Sequence, residues 1–203
     1  MRRAIPPRWL SRLARLTQCV RLAGLWLALA LAPLGLRAQG VELATLELVQ
    51  VDGALTLEFS ARLTLSRALE DALRRGVPMY FETEATLLRS RWYWRDERVA
   101  RVNRSYRLSY QPLTASWRVS LGGLAQTYPS LSEALAVISR VSGWRIADVS
   151  QLDPDLRYYL EFSYRLDNSQ LPRPMQIGLG SDWSLGIERT VKLGDKVLEA
   201  ARK

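Results

Sequence analysis

Histidine is absent and cysteine occurs once, at Cys19. Without histidine there is no usual general base, no usual zinc ligand and no Ser-His-Asp arrangement. Cys19 precedes a long apolar run, so the chain beyond it has no thiolate nucleophile and no intramolecular disulfide. Nitrogen- or sulfur-ligated transition metals are thereby disfavoured. Glycine-rich phosphate loops are missing too. Gly122-Gly123 has no Walker lysine and no dinucleotide pattern behind it, and Gly178 and Gly180 are a lone pair. There is no internal repeat and no low-complexity linker. The sequence offers no catalytic residue, no metal site and no cofactor.

Acidic residues are missing from the N-terminal stretch. Residues 1–38 hold seven arginines and no Asp or Glu, whereas the whole chain of 203 residues has 29 basic and 20 acidic ones. Setting the seven aside leaves 22 against 20, so the net charge of +9 falls to +2. The basicity belongs to the leader, and a nucleic-acid face is not expected. That leader has secretory form: an arginine-rich start, the apolar run Leu22–Leu36, then Leu36-Arg37-Ala38 with Gln39 as the new N-terminus. A spanning helix wants about 20 apolar residues, and Pro33 interrupts this run. Residues 1–38 therefore read as a cleaved signal peptide of a periplasmic protein. The alternative is an uncleaved anchor in the inner membrane facing the periplasm, because Leu36 is not the usual small residue. Only in that case is membrane contact expected, and through the leader.

Residues 39–193 read as one β-rich domain, and 194–203 as a charged tail. Val41 to Val51 and Ala54 to Leu65 alternate apolar and polar residues about Asp52-Gly53, which predicts an antiparallel hairpin. Ser66 to Arg75 changes to helical spacing, with Ser66 as cap and Gly76 as stop. Strands are predicted over Met79 to Trp94, Arg104 to Tyr110 and Trp117 to Leu121, with a bend at Gly122-Gly123. A second helix is expected from Ser130, boxed by Glu133, to Ser142, with Gly143 ending it. Leu156 to Leu166 alternates again. Pro172 and Pro174 suit an edge segment, and Met175 to Leu179 and Trp183 to Leu193 supply final strands. The fold class is mainly β with two short helices, an antiparallel sandwich-like α+β domain.

The densest arginine and aromatic run is Val77 to Tyr110. It holds Arg89, Arg91, Arg95, Arg98, Arg101, Arg104 and Arg107 and the cluster Trp92, Tyr93, Trp94. Arginine presents a planar fork for carboxylates and phosphates, and interfaces enrich in Trp, Tyr and Arg. If the two strands pair across a 95–103 connection, then Arg89, Arg91, Trp92, Trp94, Arg95, Arg98 and Arg107 form one patch for an acidic or anionic partner, such as a periplasmic loop of a membrane protein. The competing reading buries Trp92 and Trp94 and satisfies the arginines with Asp96, Glu97 and nearby carbonyls. Inward packing of strand aromatics tips the balance towards it. Two further patterns carry weaker chemistry. Glu82 and Glu84 point the same way on a strand, as a carboxylate-dependent hydrolase of an envelope polymer would need. Asp153-Pro154-Asp155 offers oxygen ligands for calcium, but reads more simply as a turn.

Several segments carry a family likeness: Leu69 to Glu82 (LEDALRRGVPMYFE), Arg91 to Glu97 (RWYWRDE), Tyr106 to Tyr110 (YRLSY), Gly122-Gly123 and Ser169 to Gln176 (SQLPRPMQ). Together they resemble an exported proteobacterial family known as a domain of unknown function (DUF4390-like). The resemblance brings no activity and no catalytic residue. It implies export and, through gene position beside a membrane sensor kinase of the nitrogen-regulation type, an accessory role in envelope signalling. The resulting expectation is a non-enzymatic envelope domain that binds a protein with an acidic surface. The alternatives are the hydrolase and a small-ligand module with an apolar pocket between sheet and helices.

Overall fold

The computed structural model describes residues 40–170 and 184–194. The described residues fall in one compact unit. The leader expected over 1–38, Pro172 and Pro174, the strand expected over Met175 to Leu179 and the tail expected beyond Gly194 lie outside the described residues.

Strands β1 (Gly40–Val51) and β2 (Ala54–Thr64) form the expected antiparallel hairpin. Its two turn residues, Asp52 and Gly53, have φ of 50° and 73°. Positive φ at both positions is what a type I′ turn demands, and it matches the twist of the flanking strands. Helix α1 (Arg67–Arg74) follows. The Ser66 hydroxyl accepts from the Leu69 N–H at 3.2 Å. At the other end Gly76 N–H donates to Leu73 and Val77 N–H to Ala72, a Schellman pair with Gly76 at φ 87°. The helix buries Leu69 and Leu73.

Strands β3 (Met79–Arg89), β4 (Glu97–Gln111), β5 (Ser116–Leu121) and β6 (Leu124–Tyr128) then run as an antiparallel meander. Helix α2 (Leu131–Ile138), β7 (Arg140–Asp148), β8 (Tyr158–Leu166) and β9 (Gly186–Lys192) complete the described elements. Two sheets result, one in the order β1-β2-β7 and one in the order β6-β5-β4-β3-β8-β9. They pack face to face as an antiparallel, sandwich-like α+β domain.

Four boundaries differ from expectation. β3 stops at Arg89 rather than Trp94, and β4 begins at Glu97, well before Arg104. β6 was not expected: Gly122-Gly123 is a hairpin turn, with both φ positive at 54° and 89°, into a short strand that is mostly exposed. α2 ends at Ile138, and Gly143 does not stop it. Gly143 instead sits inside β7 at φ 60°, where the pairing with β2 shifts between Leu57 and Phe59. A bulge with a left-handed glycine breaks the period-two signal and hides the strand.

Aromatic contacts between the sheets centre the core. Phe59 of β2 meets Phe162 and Tyr164 of β8, with ring centroids 5.0 and 5.9 Å apart. Tyr164 also stacks on Phe81, and its hydroxyl donates to the Ile138 carbonyl at 3.3 Å. The Ala61 N–H donates to the neighbouring Ser139 carbonyl at 2.8 Å. Carbonyls that the short helix α2 leaves unpaired at its C-terminus thus find donors in the core. Burial pushes the Tyr164 phenol well above its ordinary pKa, with a smaller contribution from Tyr106.

Replacing Phe59 by Ala removes a side chain that touches both sheets. It is expected to cost about 3–5 kcal/mol in urea unfolding. Leu113→Ala, at a fully exposed turn position, is expected to stay within about 0.5 kcal/mol of the parent.

Candidate functional site

The register of β3 on its two neighbours positions the site. Arg89 pairs with Glu97 of β4 on one side and with Tyr158 of β8 on the other. Ser90 still donates its N–H to the Arg157 carbonyl at 2.9 Å. The chain then leaves the sheet, and residues 90–96 form the loop that returns it to β4.

Two acidic residues clamp that loop. Asp96 accepts from the Tyr159 hydroxyl at 2.5 Å and from the Arg91 N–H at 3.0 Å. Glu97 accepts from both Arg89 and Arg91 on a single carboxylate oxygen. The Tyr159 bond, and then the Arg91 amide, hold the Asp96 carboxyl below its usual range. The same bond, with some desolvation, pushes the Tyr159 phenol up to about 12.

The clamp leaves the aromatic residues outside. Trp92 is 94% exposed, Tyr93 68% and Trp94 73%. Trp92 and Tyr93 meet edge to face with centroids 5.0 Å apart. The reading that buried both tryptophans is therefore corrected: β3 ends before them, so strand alternation never applies. Its other half holds for two arginines, since Arg89 and Arg91 are satisfied by Glu97.

The remaining arginines divide. Arg95 and Arg98 are exposed at the loop and have no carboxylate partner among the described residues. Arg101 pairs with Glu84 at 2.6 Å. Arg104 lies over the ring of Trp144 in the other sheet, 4.9 Å from its centroid. Arg107 does not join the patch. It stands opposite Tyr80, about 30 Å from Arg98 along β4 at a strand rise of about 3.3 Å per residue. The site that assembles is Arg89, Arg91, Trp92, Tyr93, Trp94, Arg95 and Arg98, with Asp96, Glu97 and Tyr159 beneath. Sequence reading missed Tyr159. Its signal was an aromatic on the polar side of the alternating strand β8.

A cleft of about 780 Å³ opens beside the loop, lined by Ser90, Leu156, Arg157, Tyr159 and Lys192 among others. The carboxylates proposed for hydrolysis lie elsewhere, on the outer face of the large sheet. Glu82 is held by Arg165 and Glu84 by Arg101, each at 2.6 Å. Asp153 forms the expected turn, accepting from the Asp155 N–H at 2.9 Å. No group of three potential metal ligands occurs among the described residues. Among them, no helix is long and apolar enough to cross a membrane.

A family model described as "Domain of unknown function (DUF4390)" matches residues 38–192. No curated protein and no solved structure matches the chain.

The clamp has a pH signature. Tyr159 carries a raised folded pKa, so its contribution is complete below about pH 10 and is lost as the pH rises through about 12. Asp96 carries a depressed one, so its contribution holds above the ordinary carboxylate value and is lost only at more acidic pH. Phenolate absorbance is expected to show one tyrosine ionising near 12, returning towards 10 in Asp96→Asn. The Asp96 carboxyl, followed by NMR, is expected to titrate at higher pH in Tyr159→Phe.

Proposed function

The chain belongs to the DUF4390 family, and on that footing we propose that it is a non-enzymatic accessory domain of the cell envelope. It docks on an anionic surface through the loop over 90–96. The observation that carries this reading is the exposed Trp92-Tyr93-Trp94 tip on a loop held by two carboxylates. Interfaces draw most of their binding energy from a few Trp, Tyr and Arg side chains. A tip whose base is already fixed loses less conformational freedom on binding than a free one. Export by the leader places the domain in the periplasm or on the outer side of the inner membrane. The resemblance to a family encoded beside a membrane sensor kinase fits a docking surface at that membrane.

The hydrolase alternative is less well supported by the geometry. Glu84 lines a cavity of about 380 Å³ with Glu161, Arg165 and Glu188, Glu82 stands outside it, and each of the two is occupied by its own arginine. They do not face one another across a cleft. The small-ligand alternative meets a core already filled between the sheets by Phe59, Phe81, Phe162 and Tyr164.

A photoreactive residue at position 93 is expected to form cross-links in the cell at the docking surface. The double variant Arg95→Ala/Arg98→Ala is expected to weaken them several-fold while leaving stability within about 0.5 kcal/mol, since both side chains are exposed and have no carboxylate partner among the described residues. Undiminished cross-linking in the variant would sink the assignment to this loop.

A further inference from the structure

The size and charge of the tip narrow the surface it meets. At the observed exposures, three aromatic side chains offer roughly 350–600 Å², taking about 150–250 Å² for each in full. The ground around the tip is mixed, with charged side chains beside a cleft that has an apolar wall of Leu156 and Leu193. It consists of Arg95, Asp96, Glu97 and Arg98, and of a cleft whose rim carries Arg157, Lys192 and Asp155. Three exposed aromatic tips stand among more cations than carboxylates, with Arg89, Arg91, Arg95, Arg98, Arg157 and Lys192 against Asp96, Glu97 and Asp155. They suit a bilayer interface, where Trp and Tyr rings sit at headgroup level. There binding strength grows with the apolar area buried and with the attraction of cations to anionic lipid. Arg95 and Arg98 have no carboxylate partner among the described residues, so both are available to lipid phosphates.

We propose that the anionic surface met by the loop over 90–96 is the phospholipid headgroup layer, with Trp92, Tyr93 and Trp94 inserted and Arg95 and Arg98 on the phosphates. The proposal rests on the docking role of this loop and names its ligand. It also gives the domain a membrane contact beyond the leader, to which sequence alone had confined it. Asp96, Glu97 and Tyr159 act as positioning residues that keep the rings pointed outward.

The test uses the full chain with Cys19→Ser and a single new cysteine, Tyr93→Cys, carrying an environment-sensitive dye. The dye reports the loop alone, so contact made elsewhere in the chain does not register. Vesicles of phosphatidylcholine are compared with vesicles that also contain phosphatidylglycerol. The anionic vesicles are expected to shift the emission to the blue, and a lipid-borne quencher to suppress it. Arg95→Ala and Arg98→Ala are each expected to raise the lipid concentration required about fivefold. Trp92→Ala/Trp94→Ala is expected to abolish the shift. The same dye at Thr114→Cys, in the turn at the far end of β4, is expected not to respond. An unchanged thermal midpoint certifies each labelled chain as folded. Absence of a shift at position 93, or equal shifts at both positions, overturns the lipid assignment. If cross-linking in the cell then still depends on Arg95 and Arg98, docking survives with an acidic protein as the surface. If neither readout depends on them, both readings fall.

Discussion

Strand β3 is hydrogen-bonded along both edges, to β4 and to β8, and the register of that double pairing fixes what the molecule shows and hides. Side chains alternate along a strand, so slipping either pairing by one residue would exchange core and surface. In the observed register Met79, Phe81, Ala85 and Leu87 face the core, while Glu82 and Glu84 face out. The same register brings Arg165 to Glu82, where the two residues are direct cross-strand partners. Arg101 reaches Glu84 diagonally, from two residues along β4. Exposed pairs of this kind stabilise by at most about 1 kcal/mol each. Their larger effect is against slippage, since a shifted strand would set like charges together or bury them.

The second sheet depends on the first for its apolar cover. β1 and β2 alone would leave Leu55, Leu57 and Phe59 on a wet face. Phe162 and Tyr164 cover Phe59 with ring contacts that run directly from sheet to sheet, and Leu55 and Leu57 are buried in the same core. The core-facing side of β4 includes Arg104, which breaks the apolar pattern. Its guanidinium meets the ring of Trp144 rather than a carboxylate, so the charge stays near the rim while its stem covers apolar surface. Tyr164 is handled differently: fully buried, it gives its hydroxyl proton to a helix carbonyl that would otherwise lack a donor.

Much of this was legible in the sequence because period-two alternation and turn chemistry are local. Asp52-Gly53 announced its hairpin, Ser66 and Gly76 bounded their helix, and the alternation over Leu156 to Leu166 matches β8, whose Tyr158, Leu160, Phe162, Tyr164 and Leu166 are buried. What failed was non-local or irregular. Gly143 looks like a helix stop in sequence, yet in space it relieves a bulge in a strand whose partner lies more than eighty residues earlier. The end of β3 was invisible for a related reason. Trp92 and Trp94 have strand propensity, and nothing nearby shows that Asp96 is held from Tyr159, 63 residues on. The arginines were correctly seen as a cluster in sequence. Extended backbone then spread them along a long strand and left Arg107 at the wrong end.

The loop over 90–96 departs from economy of chain in a way that argues for use. Neighbouring antiparallel strands can be joined by two residues, as Asp52-Gly53 and Gly122-Gly123 do here. The β3–β4 connection spends seven, and ordering each costs about 1–2 kcal/mol of backbone entropy. The hydrogen bonds and ion pairs of Asp96 and Glu97 offset part of that cost, yet they bury none of the three rings they support. A clamp that served stability alone would fold at least one tryptophan onto the cleft beside Tyr159, where Leu156 and Leu193 provide apolar wall. The tip is instead held away from the domain. Exposed aromatic area promotes self-association unless something else covers it. The arginines that flank the tip oppose that self-association by charge repulsion, and under the proposed docking the same charges face the anionic surface.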